Sequence, residues 1–503
     1  MPEPVITPED LATTLRVLDA VHLLPGEHPD HIAVRRATAR MFKAVKRERK
    51  LAARAAELAH DRAVLEATAT GSPLRIDDET EGLLPTSAAR EDGRAVAGEL
   101  INPRGCYICK HDYTRVDAFY HWLCPDCAAR SHAKREQGTD LAGRRALLTG
   151  GRAKIGMHIA LRLLRDGADL TLTTRFPRDA VRRYAGMPDS ASWLHRLTIV
   201  GIDLRDPTQV AALADDVAAR GPLDVLINNA CQTVRRQPGS YAPLVEAERL
   251  PLPDGVALPE MVTFDRVSEL HPAAISGALA GAPVAHHAGE SAEHARAVQQ
   301  ARSAADLTAL ALHAGSASLE AHLAGTAVDA GGLLPDVVTS NSWTQTVDQV
   351  DPLELLEVQM CNAVAPFLLV SRLRPALAAA AAASPSGRAH VVNVSAMEGQ
   401  FSRRYKGPGH PHTNMAKAAL NMMTRTSAGE MFERDRILMN AVDTGWITDE
   451  RPHYDKLRIA AEGWHAPLDL VDGAARVYDP IVRGERGEDL HGHFLKDYDP
   501  SPW

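Results

Sequence analysis

Apolar and polar positions change rhythm along this chain near residue 141. Before it the pattern is helical: in TPEDLATTLRVLDAV, Thr7 can cap, Pro8 takes the first helical position, and Glu9 and Asp10 suit the positive helix start. A second helix is predicted from about Asp30 through MFKAVKRERKLAARAAELA. Its Lys43, Lys46, Arg47, Arg49, Lys50 and Arg54 read as a solvated face of alternating charge. The stretch TATGSPLRIDDETEGLLPTSAAREDGR is polar and broken by Gly and Pro, so it reads as a linker, and residues 1–100 become a helical region plus linker.

After residue 141 short apolar runs alternate with amphipathic helices. RRALLTGG, DLTLTTR, LTIVGIDL and LDVLINNA read as strands, with IGMHIALRLLRDGA as the first intervening helix; AHVVNVSA and LMNAVDTGWIT add two more strands. Strands spaced by such helices predict an α/β fold, a Rossmann-like doubly wound parallel sheet over residues 140–503. The connection from Asn229 to Asn362 is far longer than a loop and helix require, which marks an insertion at about 235–345. Leaving the carboxyl end of a strand, it is expected to form a lid or wall over a bound ligand. Within it SAEHARAVQQARSAADLTALALHAG reads as helical, while His286 and His287 lack metal-like spacing and are assigned to solvent.

Length and charge narrow the picture. At 503 residues the chain exceeds one hydrophobic core, so a large domain with a smaller appended unit is expected. Lys plus Arg number 56 against 64 Asp plus Glu, a balance that argues against generic binding to nucleic acid or anionic membrane. The start, MPEPVITPED, has neither a basic leader nor an apolar core, and no stretch looks long and apolar enough to span a bilayer. The expectation is a cytoplasmic protein with no membrane partner.

The six cysteines change the picture more. Cys106, Cys109, Cys124 and Cys127 form two Cys-x2-Cys pairs separated by fourteen residues, a spacing that lets two knuckles close a tetrahedral thiolate site. Four thiolates leave no open position for water, so the expected zinc is structural, in a module spanning residues 101–135. His111 and His121 are neighbours or alternative ligands, and such a module can present a surface to a protein partner. Cys231 and Cys361 lie far apart and read as free thiols.

Thr149, Gly150, Gly151 and Gly156 lie between the first strand and its helix, where glycines allow a tight turn and let backbone approach a pyrophosphate. TGGRAKIG, Asp203 and Leu204, NNA at 228–230, Asn362 in CNAVAPF, VVNVSA, Lys417 and NAVDTGWIT together resemble the short-chain dehydrogenase/reductase family over roughly 141–500, the insertion excepted. The resemblance implies that Gly150 and Gly156 face the pyrophosphate, with Ile155 opening the helix. It puts Asp203 at the adenine with Leu204 beside it, Asn229 and Ala230 at the cofactor-side strand end, and Ile447 and Thr448 along nicotinamide and phosphates. It also implies a small-molecule carbonyl or alcohol substrate and a homo-oligomer, dimer or tetramer. Independently, the second strand ends in Thr174 and Arg175 without a carboxylate for a ribose diol; Arg175 with Arg152 or Lys154 could hold a 2′-phosphate, favouring NADP(H) over NAD(H). Lys154 replaces the middle glycine of the family's turn.

In that family a tyrosine protonates the substrate oxygen, assisted by serine, lysine and asparagine. Lys417 and Asn362 stand in place, but the serine position falls on Ala396, with Ser395 one step early, and the tyrosine position falls on Thr413. An aliphatic hydroxyl is a far weaker acid than a phenol. Candidate replacements on the same loop are Tyr405, His410, His412 and Glu398. Two functions remain open on this reading: an NADP(H)-dependent oxidoreductase with a relocated proton donor, or a catalytically silent NADP(H)-binding scaffold whose cysteine module recruits a protein or nucleic acid.

Overall fold

A computed structural model describes residues 6–503, apart from 74, 76–88, 92–93, 237, 255–256, 265–267, 269, 273–332, 334–339, 404, 449, 453–454, 457 and 460–461. The helical reading of 291–315 and the histidines at 286 and 287 therefore lie outside the described residues.

The chain opens with α1 (Pro8–Val21), closed by a reciprocal Thr7–Asp10 capping box, and α2 (Pro29–Glu66). Every residue from 39 to 56 on α2 is exposed, its basic positions included. The stretch read as a linker is structured in part. Thr68, Thr70 and Arg75 are buried, and β1 (Ala89–Glu91), β2 (Arg94–Gly105) and β3 (Asp112–Asp117) form a three-stranded antiparallel sheet. Together with α3 (Pro125–Glu136) this sheet carries the cysteines, so the module begins before residue 101. Polar composition hid this strand, because its contacts run to α2 and to the cysteine knuckles and leave no alternating pattern.

The large unit is a nine-stranded sheet. Its strands are β4 (Arg145–Leu148), β5 (Asp169–Thr174), β6 (Leu197–Ile202), β7 (Val225–Asn228), β8 (Glu260–Phe264), β9 (Ala389–Ser395), β10 (Ile437–Asp443), β11 (Phe494–Lys496) and β12 (Asp499–Ser501). Their order is β12-β11-β10-β9-β7-β4-β5-β6-β8, parallel throughout except for β12 against β11. The order reverses between β4 and β7, the switch point where such sheets hold ligands at their carboxyl ends. β8 lies within the expected insertion, which therefore extends the sheet by an edge strand. With most of its positions exposed or half-buried, EMVTF gave little signal as a strand.

Helices α4 (Lys154–Arg165), α5 (Pro177–Ala185) and α11 (Leu470–Glu485) cover one face through Ile159, Leu163, Val181, Val477 and Ile481. The other face is covered by α6 (Pro207–Ala219), α9 (Ala365–Ala383) and α10 (Pro411–Asp435), through residues such as Val210, Leu213, Leu369, Leu373 and Met431. Two short helices, α7 (Ala242–Arg249) and α8 (Pro352–Gln359), lie outside these layers. The continuous run Pro352–Ala383 is long and apolar enough by length and composition to cross a membrane, contrary to the sequence expectation. Its Leu369, Leu373 and Leu377 are buried in the domain core, the ordinary use of such a helix.

Candidate nucleotide and metal sites

At the switch point a cleft of about 370 Å³ opens between the β4–α4 turn and the ends of β5, β6 and β7. Gly150 has φ +73°, and a Cβ there would meet Ala230 Cα at 2.9 Å; a Cβ on Gly156 would fall 2.0 Å from the Gly150 carbonyl oxygen. Both positions therefore demand glycine, and backbone is left bare toward the cleft. Gly151 packs inward, where a Cβ would meet Leu172, and Thr149 is buried with its hydroxyl accepting the Asn229 and Ala230 amides at 3.0 Å. The Asn229 amide group donates to the Thr149 and Gly150 carbonyls at 3.0 Å, tying β7 to the turn. Lys154 holds φ +53°, so the residue in the family's glycine place keeps a left-handed backbone.

Gly150, Arg152, Lys154, Ile155, Gly156, Arg175, Asp203, Leu204, Asn229 and Ala230 all line the cleft. Arg152 is committed elsewhere, ion-paired with Asp179 at 2.6 Å. Arg175 is exposed, its guanidinium 5.0 Å from the Tyr241 ring and within 3.3 Å of the Tyr241 hydroxyl. No carboxylate stands at the end of β5. Asp203 is engaged by Arg205 at 2.6 Å and His271 at 3.3 Å. Burial alone would raise its pKa, but the bonds and charge of Arg205 prevail and hold it at about 2. Sequence reasoning missed Gln232, Tyr241, Cys231 and Cys361 as cleft residues. The two thiols come from opposite ends of the insertion, and only the fold brings them to one cleft.

Along α10 the Lys417 ammonium, 5 % exposed, donates to the Val394 carbonyl at 2.7 Å. An ammonium carries three donors, so this near-buried group has capacity left for a ligand such as a ribose diol. Asn362 lies in a π-helical turn, Met360–Val364, and grips both backbone groups of Gln232 at 2.8 Å. It positions the cleft wall. The Ser395 hydroxyl is turned under α10, donating to Asn421 at 2.6 Å, and Thr413 is buried with its hydroxyl 3.3 Å from the Thr233 carbonyl. Tyr405 is 75 % exposed, and His410 stacks on Trp343 with ring centroids 4.0 Å apart.

His412 is different. Its ring is 1 % exposed and neither nitrogen has a hydrogen-bond partner among the described residues; burial, with His410 nearby, brings its pKa down to about 4. The Glu354 carboxylate lies 3.9 Å away, and burial raises that group above the ordinary range although the Ser342 hydroxyl and Arg235 amide both donate to it. Thr448 is half-buried, and Ile447 is buried in an apolar cluster, its side chain against Gly473 beside Ile155, which itself lines the cleft.

The four cysteine sulfurs lie within 4.8 Å of one another, with Cys109 and Cys124 at 3.6 Å. A tetrahedron built on Zn–S bonds of about 2.3 Å has edges of about 3.8 Å, so this set fits zinc. Burial opposes ionisation of Cys109, yet the His111 amide and the neighbouring thiols lower it to about 6. His111 is exposed, and His121 is hydrogen-bonded through Nδ1 to Thr70 at 2.7 Å, so neither histidine belongs to the cluster.

Residues 144–248 match the model of the family described as short chain dehydrogenase. An uncharacterized protein of Acanthamoeba polyphaga mimivirus is 29% identical over 391 residues, covering 75% of this chain and 71% of that protein. A probable oxidoreductase of Streptomyces antibioticus is 40% identical over 91 residues, 18% of this chain and 30% of that protein. A short chain dehydrogenase/reductase of Colletotrichum higginsianum is 34% identical over 107 residues, 21% of this chain and 39% of that protein. Among solved structures, NADPH-bound carbonyl reductase from chicken fatty liver covers 74% of this chain and 98% of its own length, at 17% identity and a TM-score of 0.41.

Proposed function

The chain belongs to the short-chain dehydrogenase/reductase family through residues 144–248, and from that premise we propose that it is an NADP(H)-dependent oxidoreductase acting on a carbonyl or alcohol. The observation that carries this reading is the cleft itself: a glycine cradle where side chains would collide, beside a strand end that offers Arg175 and no carboxylate. The nicotinamide, when bound, supplies or accepts the hydride. Lys417 would hold the ribose with its spare donors, and Gly150 and Gly156 would admit the pyrophosphate.

Carbonyl reduction also needs a proton delivered to the substrate oxygen. Of the residues singled out, Tyr405 is on the surface, and the Ser395 and Thr413 hydroxyls are turned to Asn421 and Thr233. The His412–Glu354 pair supports the donor role best: burial favours the protonated form of the Glu354 carboxyl, and the neutral His412 imidazole, whose nitrogens have no hydrogen-bond partner among the described residues, would relay that proton beneath the wall formed by residues 232–236. Its 3.9 Å separation exceeds a hydrogen bond and would have to shorten in the closed complex.

The scaffold reading keeps one supporting observation: the family's serine and tyrosine are both replaced, by Ala396 and Thr413. Purified protein separates the two readings when given NADPH and a panel of aldehydes and ketones. Saturable NADPH binding with turnover favours the enzyme, binding without turnover the scaffold, and absence of NADPH binding rejects both.

A further inference from the structure

The cysteine module is welded to α11, on one face of the sheet. Tyr120 donates to Asp472 at 2.6 Å, Arg135 pairs with Asp469 at 2.5 Å, and Lys134 bonds Asp479, all on or beside α11. Its apolar cluster, containing Cys106, Tyr113 and Phe119, takes in Ile447, Leu468 and Leu470 from the large domain.

Hydrogen bonds at Tyr107 and Arg75 reach the segment that follows β10. Tyr107, between Cys106 and Cys109, accepts the Trp446 amide through its hydroxyl at 3.1 Å. Arg75, 4 % exposed, donates to the Ala466 and Leu468 carbonyls at 2.6 Å each. Arg75 is itself held by the Thr70 carbonyl at 3.0 Å, and the Thr70 hydroxyl meets His121 Nδ1 at 2.7 Å. Trp446 packs on Trp464 with ring centroids 4.3 Å apart, joining the two ends of the segment. Between those ends, Glu450 lines the nucleotide cleft.

We propose that the cysteine module is a clamp on the two ends of the segment that follows β10, with Tyr107 as the positioning residue at Trp446 and Arg75 at Ala466 and Leu468. Fixing both ends removes conformational freedom that the bound state would otherwise lose, so the clamp preorganises the wall of the cleft. Because Tyr107 lies between two sulfur donors, metal occupancy sets the hydroxyl that receives the Trp446 amide. The assignment of a nucleotide to this cleft rests on the proposed function; the clamp itself does not.

The test is hydrogen exchange on the full chain, with zinc content and NADPH affinity measured in parallel. Tyr107→Phe keeps the ring and the metal but removes the acceptor. The expected result is at least tenfold faster exchange at the Trp446 amide, unchanged protection of β4, β7 and β9, and NADPH affinity weakened at least threefold. Arg75→Gln should give the same pattern at the Ala466 and Leu468 amides. Unchanged exchange at Trp446 in a folded, zinc-loaded Tyr107→Phe protein overturns the clamp. If Tyr107→Phe does not fold, zinc is withdrawn from the unmodified protein with a mild chelator. Exchange over 446–468 should then rise before exchange in the sheet, and simultaneous or absent change overturns the proposal. Should the unmodified protein bind no NADPH, the cofactor reading fails while exchange still decides the clamp.

Discussion

The Lys417 ammonium donates to the carbonyl of Val394, 2.7 Å away and one residue short of the end of β9. This bond aims a near-buried charge at the carboxyl edge of the sheet with donors to spare. Lys417→Ala should therefore weaken NADPH binding by roughly 1.5 to 3 kcal/mol, the worth of a charged hydrogen bond. Thr413→Ala, one turn earlier, should leave binding nearly intact, since its hydroxyl is turned to the Thr233 carbonyl. Isothermal titration of the two variants checks both statements; equal losses would contradict the assignment of Lys417 to the ribose.

Arg175 tests the choice of cofactor. It leans on Tyr241 and the neighbouring Phe176, and β5 itself ends in Thr174 with no carboxylate of its own. Arg175→Ala should reduce the preference for NADPH over NADH by roughly 1.5 to 3 kcal/mol. Arg152→Ala should disturb local packing more than preference, because Arg152 is already paired with Asp179. Comparable affinities of the unmodified protein for the two cofactors would exclude the 2′-phosphate role.

Much of this site was legible before the fold was known. The glycine turn, the cysteine pairs and the buried strands each follow from local chemistry: a forbidden Cβ, a ligand spacing, an apolar run. Other parts depend on contacts distant in sequence. Cys231 and Cys361 meet one cleft only because β7 and α8 converge there, and Arg152 and Arg175 look alike in sequence until Asp179 claims one of them. Residues 68–94 read as linker because Arg75 and the start of the β2 strand serve partners hundreds of residues away or on another element. Tyr405 and His412 were equal candidates on one loop; burial separates them, at 75 % and 1 % exposure.

His412 should leave a signature in the pH dependence of stability. Burial depresses its folded pKa to about 4, against about 6.5 in an unfolded chain, so the unfolded state binds more protons between these values. The neutral ring's contribution is present above about pH 6.5 and is lost as pH falls toward 4. His412→Leu should flatten the stability profile in that window, measured by urea unfolding at several pH values. An unchanged slope would show that the imidazole is accessible to water and protonates normally.

The opening left by the family's two hydroxyls allows a decisive reconstruction. Ala396→Ser and Thr413→Tyr together restore the pattern in which a phenol one helical turn before Lys417 has its pKa lowered by the ammonium. Thr413 is 1 % exposed, so the larger ring must displace the segment around Thr233, at a cost of about 1 to 3 kcal/mol in stability. The outcome depends on where the proton comes from in the unmodified chain. If His412 and Glu354 supply it, the double variant crowds the wall at residues 232–236 and lowers an existing rate, while His412→Gln alone lowers that rate at least a hundredfold with NADPH affinity retained. If nothing supplies it, the unmodified protein binds NADPH without turnover, and the reconstructed pair introduces carbonyl reduction where there was none. Measuring NADPH oxidation for the unmodified chain, His412→Gln and the double variant distinguishes these cases. Full activity in His412→Gln would remove the imidazole from the reaction and leave the buried pair as a structural element of α10.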